Sequence, residues 1–303
     1  MTTILPQTTA EASPRFRDGS VKLLLLALAL LLTACASSRR TEGPNLALAA
    51  GWHWEILPAG AFDLAVATAP RSAGETLVVY LEGDGLAYAR PDQPASDPTP
   101  SDPVALRMAL ADPAGTPTAW VGRPCQYTLP DRARNCATPY WTDRRYAPEV
   151  VDSIGAALDQ LKLRSGASRL VLIGYSGGGA IATILAARRN DVVRLVTVAA
   201  NLDIAYWTEH QGLAPLTGSL DPARDAAPLL GTVEQLHFAG AEDRTVGADV
   251  VRSFISRLPP GSPARLIEVP HYSHSCCWAR DWPSLAAMGE WASPAAHGGR
   301  AVP

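Results

Sequence analysis

The sequence predicts an α/β fold, in which helices cover both faces of a mostly parallel sheet. Short runs rich in Val, Leu and Ile alternate along the chain with longer segments whose apolar residues recur at helical spacing. Such alternation is typical of parallel strands that are buried on both faces. The 303 residues, 47% hydrophobic and 18% charged, have the composition of a globular protein and the length of one large domain.

The elements are predicted in the following order. Residues 52–57 and 62–68 form a hairpin that gives the sheet an antiparallel edge. Further strands are expected at 76–81, 119–122, 168–174, 192–199, 234–240 and 264–269. Helices are expected at 103–111 with Asp102 as N-cap, and at 147–163, 177–189, 246–258 and 282–292. Residues 201–230 are rich in Pro and Gly and predict a small cap-like insertion.

Charge and repeats exclude several functional classes. The formal net charge is −3 at pH 7, and no basic run is longer than Arg39-Arg40, so we expect no nucleic acid partner. No segment of 20–50 residues repeats, which excludes solenoids and propellers.

The N-terminal segment resembles a bacterial lipoprotein signal peptide. Residues 23–34 form an apolar run that is too short to span a bilayer and has the length of a signal-peptide core. The run ends in Leu32-Thr33-Ala34-Cys35, which resembles a lipobox. An ordinary secretory signal is the alternative.

This resemblance implies a lipid on Cys35 and a location in the bacterial cell envelope. Ala36 follows the cysteine where an inner-membrane retention signal would have Asp, which favours the periplasmic face of the outer membrane. The expected organisation is a signal peptide over 1–34, lipidated Cys35 with a polar tether over 35–48, an α/β domain over 49–295 and a flexible tail over 296–303.

A candidate nucleophile lies at a sharp turn between a strand and a helix. The strand at 168–173 leads into Gly174-Tyr175-Ser176-Gly177-Gly178, and a helical segment follows at once. G-x-S-x-G in this setting is typical of a nucleophile elbow, where a strained turn exposes the serine hydroxyl above the sheet. Ser176 is therefore the candidate nucleophile, and a structural Gly-rich turn is the alternative.

This elbow, with acids and histidines downstream, resembles the α/β-hydrolase superfamily over residues 52–292. In that fold the catalytic order along the chain is Ser, acid, His. The resemblance implies Asp243, after the strand at 234–240, as the acid, with Asp203 as the alternative. It implies His274, on the loop after the last strand, as the base, with His271 as its competitor.

The resemblance also implies an oxyanion hole made of two backbone N–H donors. One donor is Gly177, and the other is Asp84, with Gly85 as the fallback, on the loop after the strand at 76–81. Glu82 occupies the position where the family usually has His, so we expect its side chain to point away into a hydrogen-bonded position. A glycine turn that binds nothing is the alternative for this loop.

The activity implied is hydrolysis of an ester or thioester of a small acyl substrate through an acyl-enzyme, without a metal or organic cofactor. An acyltransferase or peptidase that uses the same triad is an alternative. So is a non-catalytic binding lipoprotein with this fold. The sequence does not indicate the oligomeric state.

Four cysteines remain beyond Cys35: Cys125, Cys136, Cys276 and Cys277. An even number in an oxidising compartment predicts disulfides. Cys125–Cys136 is the first expected bond, and Cys276 and Cys277 then either bond to each other or stay reduced. Cross-pairing between these two sets and a zinc site are the alternatives.

Overall fold

The computed structural model describes residues 38–70, 73–113, 115–129 and 132–288. The predicted signal peptide, Cys35 and the predicted tail over 296–303 lie outside these residues. Within the described part of the chain, no helix has both the length and the apolar character needed to cross a membrane.

Eight strands form the central sheet. In chain order they are β1 (His53–Ala59), β2 (Phe62–Thr68), β3 (Thr76–Leu81), β6 (Thr118–Val121), β7 (Arg169–Tyr175), β8 (Val192–Val198), β9 (Glu234–Gly240) and β10 (Ala264–Val269). Their order across the sheet is β1-β2-β6-β3-β7-β8-β9-β10. Pairing is antiparallel on both sides of β2 and parallel from β6 to β10, so the predicted mostly parallel sheet with an opening hairpin at its edge is confirmed. Two short strands, β4 (Tyr88–Arg90) and β5 (Gln93–Pro94), pair separately.

Helices pack on both faces of this sheet. They are α1 over 38–49, α2 (Val104–Leu110), α3 (Pro148–Ser165), α4 (Gly177–Arg188), α5 (Ile204–His210), α6 (Pro222–Asp225), α7 (Ala248–Ile255) and α8 (Trp278–Ala287). Alternate residues of β3 enter different apolar clusters: Leu77 and Val79 pack with α3 and α4, whereas Val78 and Tyr80 pack with α2 and α8. Because side chains alternate across a strand, burial of both faces requires the continuous apolar runs seen in the sequence.

The N-terminal part of the domain differs from its prediction. Residues 38–49 are a helix, not the polar tether expected over 35–48. Ala47 on this helix is fully buried, and Arg40 pairs with Asp97 at 2.8 Å. The helix is held on the domain by Ala47 and Leu46, which pack against the core, and by two ion pairs, Arg40 with Asp97 and Glu42 with Arg107.

Two helix starts also differ from prediction. Pro103, not Asp102, is the N-cap of α2, and the Asp102 carboxylate accepts instead from Arg107 Nε at 2.7 Å. Helix α8 begins at Trp278, four residues before the predicted start at 282, since the Trp278 ring is fully buried and fixes that turn against the sheet.

The expected cap-like insertion contains α5 and α6, joined by one buried acid. Asp221 caps α6, and its two carboxylate oxygens also accept the N–H groups of Ile204 (3.1 Å) and Ala205 (3.0 Å) at the start of α5. These bonds fix a segment whose sequence has weak periodicity.

Both disulfides lie among the expected pairings. Cys125 bonds to Cys136 with a Cα–Cα distance of 5.5 Å, which closes the loop after β6. Cys276 bonds to Cys277 on the loop that precedes α8.

Candidate active site

Ser176 occupies the sharp turn between β7 and α4. Its φ of 51° lies in the left-handed region, which is strained for a serine. A Cβ at position 178 would lie 2.3 Å from the carbonyl oxygen of Leu81, and one at position 174 would lie 2.5 Å from that of Gly178. Glycine at both positions therefore allows the close approach of backbone that the turn requires.

A chain of two hydrogen bonds joins the three residues predicted as nucleophile, base and acid. The Oγ of Ser176 lies 3.0 Å from His274 Nε2, and Nδ1 of the same ring lies 2.8 Å from Asp243 Oδ2. These residues follow β7, β10 and β9, whose carboxyl ends meet at one edge of the sheet. Ligand sites of open α/β sheets lie at that edge.

Asp243 is oriented by the turn on which it lies. One carboxylate oxygen, Oδ1, accepts the backbone N–H groups of Thr245 (2.8 Å) and Val246 (2.9 Å). The second oxygen is left to face His274. The side chain of Asp243 is fully buried, and that of His274 is 22% exposed, so the acid is shielded while the imidazole reaches the cleft.

The backbone of His274 is held by two aromatic side chains. Its carbonyl oxygen accepts from the hydroxyl of Tyr175 (3.1 Å) and from Nε1 of Trp278 (2.9 Å). Sequence reasoning missed this positioning. The only sign of it in the sequence was that Tyr175 lies next to Ser176 and Trp278 lies four residues after His274, and both side chains can donate a hydrogen bond.

The two alternatives lie elsewhere. His271 faces Glu242 at 3.0 Å on the protein surface, with side chains 89% and 62% exposed. Asp203 caps α5 and accepts from Ser253 Oγ at 2.6 Å and from Arg257. Among the described hydrogen bonds, neither side chain contacts Ser176 or His274.

The loop after β3 reaches the first turn of α4. A Cβ added at position 177 would lie only 1.9 Å from Asp84 Oδ1, so this loop and the elbow are in direct contact. Within the described residues, no acceptor is hydrogen-bonded to the backbone N–H of Asp84 or Gly177. Asp84 and Gly85 line the same cleft as Ser176.

Two arginines and a tyrosine bind the Asp84 carboxylate. Arg123 Nη1 donates to Oδ1 at 2.9 Å, whereas Arg145 Nη1 (2.9 Å) and the Tyr146 hydroxyl (2.8 Å) donate to Oδ2. Burial raises the pKa of Asp84, but the positive charges of Arg145 and Arg123 outweigh it and hold the pKa below its usual value. The sequence showed no local sign of this cluster.

Glu82 occupies the hydrogen-bonded position that the sequence predicts. Its carboxylate accepts from Trp120 Nε1 (3.0 Å), from the N–H of Gly83 (3.0 Å) and, more weakly, from the first N–H groups of α2. Burial raises its pKa to about 7, and these hydrogen bonds only partly offset that effect. Glu82 thereby ties the loop after β3 to α2.

The cleft above Ser176 has a volume of about 390 Å³. Besides the site residues, its lining includes Asn201 and Trp207 from the cap-like insertion and Leu86 from the loop after β3. In the described part of the chain, no group of three or more His, Cys, Asp or Glu side chains is arranged to hold a metal ion.

Comparison with solved structures identifies the fold. The chain is similar to an α/β serine hydrolase homologue from Coxiella burnetii (TM-score 0.51, 16% identity, covering 78% of this chain and 94% of that one). It is similar to a lidless α/β serine hydrolase from Xanthomonas campestris (TM-score 0.52, 15% identity, covering 81% of this chain and 96% of that one). It is also similar to a bacterial membrane phospholipase A (TM-score 0.53, 14% identity, covering 93% of this chain and 100% of that one). No protein-family model and no curated relative matches the sequence.

The protein has the α/β-hydrolase fold. Within this fold, β3, β7, β9 and β10 each end at a residue or loop that contributes to the cleft. At identities this low the likeness concerns the fold alone. The roles of the site residues in this protein therefore rest on their own geometry.

Proposed function

We propose that the protein is a serine hydrolase that cleaves carboxylic esters or thioesters. The observation that supports this function best is the uninterrupted path from Ser176 Oγ through the imidazole of His274 to the buried carboxylate of Asp243. A serine becomes nucleophilic at neutral pH when an oriented base can accept its proton, and this path supplies both the base and its orientation.

In the proposed reaction, Ser176 Oγ attacks the substrate carbonyl while His274 Nε2 takes the hydroxyl proton. Asp243 holds Nδ1–H and stabilises the imidazolium. The backbone N–H groups of Gly177 and Asp84 donate to the oxyanion, with Gly85 as the alternative donor. Collapse of the tetrahedral intermediate expels the alcohol or thiol, which takes the proton from His274. Water, deprotonated by the same histidine, then hydrolyses the acyl-enzyme.

Labelling of the full-length protein with a fluorophosphonate tests this function. We expect the wild type and His271→Ala to become labelled, and Ser176→Ala and His274→Ala to remain unlabelled. A folded wild type that takes no label would overturn the proposal and favour a binding protein with this fold. Labelling without ester or thioester hydrolysis would instead favour acyl transfer or peptide cleavage on the same residues.

We further propose that the mature protein begins at Cys35 and carries lipid there, on the periplasmic face of the outer membrane. The support is the lipobox-like Leu32-Thr33-Ala34-Cys35 at the end of an apolar run. Mass spectrometry of the membrane-extracted protein tests this: we expect an acylated N-terminal cysteine, and release of Cys35→Ser from the membrane fraction. An unmodified Cys35 in the mature protein would contradict lipidation.

A further inference from the structure

Two buried arginines share one carboxylate beside the elbow. Both oxygens of Asp84 are occupied, Oδ1 by Arg123 and Oδ2 by Arg145 with Tyr146. The side chains of Arg123 and Arg145 are only 4% and 9% exposed. One negative charge faces two positive charges, so the cluster retains an excess of one positive charge in a poorly solvated place, where charge interactions are stronger than in water.

The two arginines differ in what they face. Arg123 lies behind the loop after β3: one Nη nitrogen donates to Asp84, the other to the carbonyl of Arg145, and Nε is buried without a partner among the described residues. Arg145 lines the cleft. Its Nε donates to the carbonyl of Thr142 (2.6 Å) and its Nη1 to Asp84, whereas Nη2 has no hydrogen-bond partner in the described part of the chain.

No acid that lines the cleft is left to neutralise Arg145. Asp84 is already shared between the two arginines. Asp102 pairs with Arg107 at 2.7 Å, and Glu82 is satisfied by the donors around it. Asp243 is not among the residues that line the cleft, and its carboxylate is directed to His274. The position nearest to Arg145 Nη2 is therefore suited to a negative group that comes from outside the protein.

We propose that Arg145 binds an anionic group of the substrate, such as a carboxylate or a phosphate. A guanidinium held by Thr142 and Asp84 presents its remaining N–H groups in a fixed plane, which suits an oxyanion. The Asp84 carboxylate contacts both Arg145 and the elbow at Gly177, so we expect the anionic group close to the carbonyl that Ser176 attacks. This specificity rests on the proposed ester hydrolase function.

Matched esters test the proposal and locate the anion. On the acyl side, mono-p-nitrophenyl glutarate is compared with p-nitrophenyl pentanoate. On the alcohol side, 3-acetoxybenzoate is compared with 3-acetoxybenzamide. The quantity measured is the ratio of kcat/KM for the anionic ester to that for its neutral partner, within each variant of the full-length protein. A general loss through the disturbed Asp84 loop cancels in this ratio.

We expect Arg145→Gln to lower this ratio for one of the two pairs by about 10- to 100-fold, the effect of losing a charge-assisted hydrogen bond. Arg144→Gln is the matched control. It removes the same charge from the neighbouring residue, whose half-exposed side chain pairs with Glu149 outside the cleft. Arg145→Lys keeps the charge without the planar fork, and we expect a smaller fall; it replaces Arg145→Gln if that variant does not fold.

Each outcome has one meaning. A fall confined to the glutarate pair places the anion on the acyl group, and a fall confined to the benzoate pair places it on the alcohol. Ratios that stay equal to the wild type for both pairs overturn the proposal while leaving the hydrolase function intact. Failure of the hydrolase function is distinguished from this result by the absence of both fluorophosphonate labelling and hydrolysis of all four esters.

Discussion

Two histidine–carboxylate pairs lie on the same two loops of the protein. His274 with Asp243 and His271 with Glu242 come from the turns after β10 and β9, and their separations are similar, 2.8 and 3.0 Å. The first pair reaches Ser176, and its acid is fully buried. The second pair is 89% and 62% exposed and reaches no other described site residue. The distance between histidine and carboxylate therefore does not distinguish the two pairs. They differ in the burial of the acid and in the contact of the histidine with Ser176.

The local backbone explains the difference. Asp243 turns inward because two N–H groups of its own turn bind Oδ1. His274 is held by Tyr175 and Trp278 through its carbonyl oxygen. An exposed ion pair contributes little because water and salt screen it, whereas a shielded acid keeps an imidazole in one tautomer and orientation.

The largest expected contrast is between the two histidines. We expect His274→Ala to lower kcat/KM for a p-nitrophenyl ester by about four orders of magnitude or more, because the proton acceptor of Ser176 is lost. We expect His271→Ala to change it by no more than about twofold, as a surface substitution does. Steady-state kinetics measure both. Equal losses in the two variants would contradict the assignment.

The two acids should differ almost as much. Asp243→Asn preserves size but favours the wrong imidazole tautomer, so we expect a loss of roughly three to four orders of magnitude in kcat. Glu242→Gln removes a screened charge, and we expect an effect of no more than about twofold. The same assay measures both, with near-ultraviolet circular dichroism as the control for folding. A fully active Asp243→Asn would exclude Asp243 as the orienting acid.

A second pair of neighbouring acids, Glu82 and Asp84, should differ in how each makes the stability of the protein depend on pH. Burial raises the pKa of Glu82 from 4.5 to about 7, so folding favours its protonated form. Its contribution to stability is full below pH 4.5 and is lost as pH rises to about 7, a change of roughly 3 kcal/mol. We therefore expect the wild type to lose stability between pH 4.5 and about 7 through Glu82, and we expect Glu82→Gln to lack this loss.

Denaturant unfolding at several pH values across this range measures the effect, because other titrating groups cancel in the difference between the two proteins. For Asp84 the sign is opposite: its pKa is lowered, so its contribution is lost as pH falls below the usual range of aspartate. Parallel stability curves for the wild type and Glu82→Gln would refute the raised pKa of Glu82.

The two cysteine pairs give the smallest expected difference. Cys125 and Cys136 lie 11 positions apart along the chain, and restriction of the unfolded chain by a loop of this size stabilises by about 2–3 kcal/mol. Adjacent Cys276 and Cys277 close almost no loop. We therefore expect replacement of the first pair by serines to lower the free energy of unfolding more than replacement of the second. Chemical denaturation of the two double variants decides the order.

The sequence predicted the sheet well but mispredicted α1. Buried parallel strands need continuous apolar runs, so β3, with the sequence TLVVYL, is found at the predicted residues. Helix α1 has a weak apolar pattern, and its placement depends on distant partners such as Asp97 for Arg40 and Arg107 for Glu42. Contacts of that kind are not visible in a local sequence pattern.

The sequence by itself determined the strands and the sharp turn at Ser176, because these depend on short-range glycine spacing and on apolar runs. The expected order of serine, acid and histidine along the chain came from the resemblance to the α/β-hydrolase superfamily. Only the tertiary structure showed which histidine meets Ser176 and which acid meets that histidine. Only the tertiary structure brought Arg123, Arg145 and Tyr146 to Asp84, across 39 to 62 residues of chain. The physical reason is that a buried charge interacts with the side chains that lie next to it in the folded state. Which side chains these are depends on how the apolar core packs.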